Sequence, residues 1–61
     1  MPVIRVSMWS GRTHEQKAEL AKALTETMAR IGKTKPEATV IIFEEVEKSN
    51  WASGGVLASD K

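Results

Sequence analysis

The chain has 61 residues, no cysteine and a single histidine, and its nine basic side chains against eight acidic ones give a formal net charge of +1. Disulfides and a histidine-cysteine zinc site are thereby excluded as sources of stability, and so balanced a charge gives no reason to expect nucleic acid or an anionic membrane as a partner. At this size the apolar area available for burial roughly cancels the cost of ordering the chain, which leaves association with further copies as the route to a stable fold. The start of the sequence carries no basic and apolar regions of the signal-peptide kind, and no apolar run approaches the ~20 residues of a membrane span. The expectation is a cytoplasmic protein of one domain, residues 1–61.

Residues Val3 to Trp9 read as a strand, rich in β-branched side chains. Alternation puts Ile4, Val6 and Met8 on one wholly apolar face and Val3, Arg5, Ser7 and Trp9 on a mixed one. Pro2, immediately before it, lacks the N–H that a strand interior requires and is tolerated at a strand start. Gly11 then breaks the strand, and Thr13 with Gln16 forms the T-x-x-Q capping box that opens a helix. From His14 to Ile31 the apolar residues Leu20, Ala21, Leu24, Met28 and Ile31 recur at three- and four-residue steps, one stripe of an amphipathic helix. Gly32 is the expected left-handed residue at its end, and Pro36 prevents the helix from resuming. His14, in the first turn, reads as an exposed helix residue.

Thr39 to Val46 is the second predicted strand, with Ile41 and Phe43 on one face and Val40, Ile42 and Val46 on the other. Apolar character on both faces predicts cover on both sides, and in so short a chain the second cover must come from a neighbour. Glu44 and Glu45 are adjacent, so they point to opposite faces and cannot form a close carboxylate pair. The tail, turn-rich at Ser49-Asn50 and Gly54-Gly55, predicts a short hairpin or arm. The fold class is therefore α/β: a β-α-β unit whose two strands run parallel around one main helix, with a C-terminal hairpin or arm. Edge-to-edge pairing of two such chains makes a four-stranded sheet.

Pro2, "SGRTHEQK", "IIFEE" and "NWASGG", in this order and spacing over essentially the whole chain, resemble the 4-oxalocrotonate tautomerase family. That resemblance implies dimers with a four-stranded sheet, commonly assembled as a hexamer from three dimers, and keto–enol tautomerisation without a cofactor or metal. It implies that Pro2, freed by removal of Met1, is the catalytic base through its secondary amine, and that Arg12 holds a substrate carboxylate. Trp51 falls where the family has an aromatic residue near the proline, a role compatible with packing or an interface, and Trp9 where a side chain lines the pocket; packing in the core or at an interface is an equal reading for Trp9.

One position departs from the family. A second arginine near the start of the second strand, supplied by a neighbouring subunit, is replaced here by Val40, which removes a carbonyl-polarising charge unless Arg5, Arg30, Lys33 or Lys35 reaches in. Ser53 stands where related water-adding enzymes carry a glutamate, which argues against hydration. The expected substrate is a small unsaturated 2-hydroxy or 2-oxo carboxylic acid of the 2-hydroxymuconate type. Two alternatives stand beside this reading: a weak or inactive subunit that serves a mixed oligomer, and a strand-helix DNA-binding protein, which would require a second helix in place of "TVIIFEEV".

Overall fold

Strand β1 (Val3–Trp9) leads into helix α1 (His14–Gly32), which returns to strand β2 (Val40–Val46); a hairpin of β3 (Ala52–Ser53) and β4 (Val56–Leu57) follows. Short 3₁₀ turns at Pro36–Ala38, Lys48–Asn50 and Ala58–Asp60 complete the connections. This computed structural model describes all residues from Met1 to Lys61.

β1 and β2 pair in parallel, from Val3 opposite Val40 to Trp9 opposite Val46. Residues opposed in a parallel pair share a face, so Ile4, Val6 and Met8 lie with Ile41, Phe43 and Glu45 on one side of the sheet. Helix α1 covers that side: Leu24 and Met28 border a groove with Ile4, and Lys17 Nζ reaches Glu45 Oε2 at 3.3 Å. Glu44 faces the other way and pairs with Arg5 at 3.1 Å, so the two glutamates diverge as the strand period requires.

Both ends of α1 are fixed locally. Thr13 is extended, with φ −74° and ψ 163°; Gln16 N donates to its Oγ1 at 3.1 Å while Thr13 N donates to Gln16 Oε1 at 2.9 Å. This reciprocal pair satisfies two donors that the first turn would otherwise leave unpaired. At the other end the left-handed residue is Lys33, at φ 57° and ψ 43°, and not the expected Gly32. Gly32 itself remains helical, and a Cβ built there would lie 3.0 Å from the flexible end of Met28, at Sδ. Pro36 opens a 3₁₀ turn, a position where its missing N–H costs nothing.

The far side of the sheet, formed by Val3, Arg5, Ser7 and Trp9 with Val40, Ile42, Glu44 and Val46, carries no helix, and only its Trp9 end is met by the C-terminal segment, through Trp51 and Lys48. Val3 is 51% exposed and Val40 39%. The two-sided cover expected for β2 is thus present on one face only, and not one of the 61 residues is fully buried. The accessible surface is 4,701 Å², whereas a compact monomer of this mass would expose roughly 3,900 Å². Likewise the radius of gyration is 14.4 Å against about 10.5 Å for a compact chain of this length. One chain is therefore a thin, two-layer piece that leaves a sheet face open.

No helix is long and apolar enough to cross a membrane. β2 occupies the place where a ribbon-helix-helix DNA binder would need its second helix, which removes that alternative.

Candidate active site

The parallel sheet has two chemically distinct ends, and they divide the residues singled out by sequence. At the N-terminal end of the strands stands Pro2, half-buried, its carbonyl accepting from Val40 N at 2.9 Å. The strand pairing that begins with Val3 and Val40 thus fixes the proline beside the start of β2. Its nitrogen is part of the Met1–Pro2 peptide in this chain, and Met1 itself is 90% exposed and unconstrained by packing. The side chain of Val40, immediately alongside, supplies no charge.

At the C-terminal end Trp9, Arg12 and Trp51 come together. Trp9 and Trp51 meet edge to face, with ring centroids 6.0 Å apart and planes at 76°, the arrangement their quadrupoles favour. Gly11, at φ +120°, makes the turn that few other residues could make and brings Arg12 back over the strand end. Arg12 Nη1 donates to Trp9 O at 3.1 Å. That bond anchors the guanidinium and leaves its other donors available for a planar anion such as a carboxylate.

Trp51 reaches this position because the 3₁₀ turn before it and the hairpin after it are locally encoded. Gly54 and Gly55 take φ +60° and +84°, the left-handed pair that closes a two-residue hairpin. Ala52 then pairs with Leu57 and Ser53 with Val56, while Ala58 N donates to Trp51 O at 2.7 Å. The predicted C-terminal hairpin is thus present, and it carries the tryptophan onto the end of the main sheet.

Sequence reasoning missed Lys48. Its Nζ stands 4.9 Å from the Trp9 ring centroid, a cation–π contact, and it borders the same cleft as Arg12. The available signal was its place three residues before Trp51 in a turn-forming segment. Of the cations considered as replacements for the missing arginine, Arg5 is engaged by Glu44 on the sheet face. No group of three or more His, Cys, Asp or Glu side chains is gathered in a way that could hold a metal ion.

The family with the description "Tautomerase enzyme" matches residues 2–61. The chain belongs to the tautomerase family. It is 39% identical over 61 residues to a probable tautomerase of Bacillus cereus, covering the whole of both chains. A crystal structure of a 4-oxalocrotonate tautomerase homologue superposes with a TM-score of 0.93 at 43% identity, over 100% of this chain and 97% of that one. A heterohexamer 4-oxalocrotonate tautomerase from Chloroflexus aurantiacus gives a TM-score of 0.93 at 35% identity, over 98% of this chain and 97% of its own. Membership in this tautomerase family makes the chain an isomerase, and the β-α-β unit with its hairpin is the fold of those homologues.

Proposed function

We propose that this tautomerase is a cofactor-independent keto–enol isomerase of small unsaturated 2-hydroxy or 2-oxo acids of the 2-hydroxymuconate type, working as a cytoplasmic oligomer of the hexameric kind. Removal of Met1 converts the Pro2 nitrogen from an amide into a secondary amine. A free α-amine in water titrates at about 7.7–8. Desolvation and a nearby guanidinium both disfavour its protonated form, which makes it a base near neutral pH. The amine takes a proton from the enol hydroxyl or from carbon beside a carbonyl, and the resulting ammonium returns one to another carbon of the conjugated system. Arg12 holds the substrate carboxylate, and the tryptophan pair keeps the surroundings apolar.

The observation that carries this reading is the division of the site between the two ends of the sheet. Pro2 and the Arg12 end are separated by the length of β1, upwards of about 20 Å at strand rise, whereas base and substrate must approach to about 3 Å. One substrate cannot meet both within one protomer. Two chains related by a twofold axis through the sheet bring opposite ends together, because like strands then run antiparallel across the new edge. Both β1 and β2 have an unpaired edge for this.

The test is complementation. Wild-type chains that retain Met1 lack a free amine, and Pro2-terminated Arg12→Ala chains lack the anion anchor. Each alone should be nearly inactive. Refolded together at equal amounts, random assembly gives about a quarter of the sites one intact amine facing one intact arginine, and about that share of activity returns. No recovery in verified mixed oligomers would place base and anchor on one chain and overturn the shared site.

A second reading has its own support. Val40 leaves the proline end without the family's second arginine, and the Chloroflexus relative is a heterohexamer. A weakly active partner subunit beside a different tautomerase chain fits both facts, and co-purification of two chains in a fixed ratio would favour it over the homo-oligomer.

A further inference from the structure

The geometry points to Lys48 as a specificity-determining residue that receives a second acidic group of the substrate, at the end remote from the carboxylate held by Arg12. This deepens the tautomerase reading and rests on it for the use made of the cleft. The cleft, of about 400 Å³, is lined by Trp9, Ser10, Gly11, Arg12, Gln16 and Lys48. Two of these are cations and none is a carboxylate. The neighbouring Glu47 makes no ion pair with Lys48; its carboxylate accepts from Ser10 Oγ at 3.0 Å at the edge of the cleft. Neither Lys48 nor Arg12 has an ion-pair partner; the two ion pairs of the protomer are Arg5–Glu44 and Lys17–Glu45.

Each cation is also held in place at no expense of its charge. Arg12 is tethered through one guanidinium nitrogen to Trp9 O, and Lys48 rests on the face of the same Trp9 at 4.9 Å. A ring face attracts the ammonium but accepts none of its three N–H donors in the way a carboxylate would. Both cations thus contact the same residue, Arg12 at the Trp9 carbonyl oxygen and Lys48 at the Trp9 ring face, and both border the one cleft. Two unpaired cations bordering one cleft favour a ligand with two acidic groups, one for Arg12 and one for Lys48. This placement also answers the loss of charge at Val40: the compensating cation lies at the Arg12 end, on the 3₁₀ turn before Trp51, not among the residues near Pro2.

The test separates recognition from turnover with two matched acids that carry no hydroxyl to ketonise. trans,trans-Muconate and sorbate share a six-carbon diene and differ in one terminus, carboxylate in the first and methyl in the second. Binding to the Pro2-terminated oligomer is read by calorimetry and by the fluorescence of the tryptophan pair. Lys48→Met keeps a stem on Trp9 and removes the charge, and should weaken muconate at least about tenfold, the scale of a lost charge-assisted hydrogen bond, while sorbate moves less than about twofold. Lys48→Arg should restore most of the difference. Equal losses for both acids would show a merely structural lysine, and unchanged muconate binding, or no preference for muconate in the wild type, would equally overturn the assignment. A Lys48-dependent muconate preference in an oligomer that ketonises no enol would keep the assignment and refute the catalytic reading instead.

Discussion

Dilution should unfold this protein. A protomer with no fully buried residue and some 4,701 Å² of accessible surface exceeds the ~3,900 Å² of a compact monomer by roughly 800 Å². Part of that excess is the uncovered face around Val3, Trp9 and Val40 and the exposed helix end at Ile31. A chain of this size has almost no net stability of its own, so its folded state must draw on association. For unfolding coupled to dissociation, a hundredfold dilution removes about 2.3 kcal/mol per protomer from a hexamer and about 1.4 from a dimer. These are roughly five-sixths and one-half of the full mass-action term of about 2.7, because an oligomer releases one fewer new particle than it has chains. With about 4–8 °C of Tm per kcal/mol in domains of this length, the melting point should fall by roughly 9–18 °C for a hexamer and 5–11 °C for a dimer. Circular dichroism melts at micromolar and hundred-micromolar protein, with masses from light scattering, would measure it. A monomeric mass with one Tm at both concentrations would refute the inference that the exposed sheet face needs a second chain.

Two local features give further expectations. Lys33 occupies the left-handed region at φ 57°, which costs a non-glycine residue about 1–2 kcal/mol; Lys33→Gly should raise Tm by a few degrees at fixed protein concentration, offset in part by the flexibility glycine adds to the unfolded chain. Thr13→Ala removes the hydroxyl that caps Gln16 N at 3.1 Å and should cost about 1 kcal/mol, seen as a fall in Tm of roughly 4–8 °C.

The elements of the fold were legible because each has a local cause. Alternation fixed β1 and the faces of Ile4 and Arg5, the Thr13–Gln16 box marked the start of α1, and Gly54-Gly55 marked the hairpin. Gly32 misled because the helix runs one residue further and the left-handed position falls on Lys33. The second strand begins at Val40, not Thr39, since Thr39 is spent closing the 3₁₀ turn with its N–H on Pro36 O. The site was half legible. Arg12, Trp9 and Trp51 are gathered at one end by a glycine turn and a glycine hairpin that can be read locally. Lys48 escaped because its contact with Trp9 spans 39 positions of sequence. That Pro2 lies at the opposite end follows from β1 itself, which runs between Pro2 and Arg12, and the parallel direction of β2 is what brings Trp51 to the Arg12 end.

The most direct measurement is ketonisation of 2-hydroxymuconate, followed by its ultraviolet absorbance, with untagged protein whose mass shows that it begins at Pro2, beside the same chain with Met1 retained. The account predicts turnover by the Pro2-terminated form and its near absence in the other, because only the first has an amine able to accept a proton. Equal turnover by both forms would contradict it, since an amide nitrogen cannot act as the base.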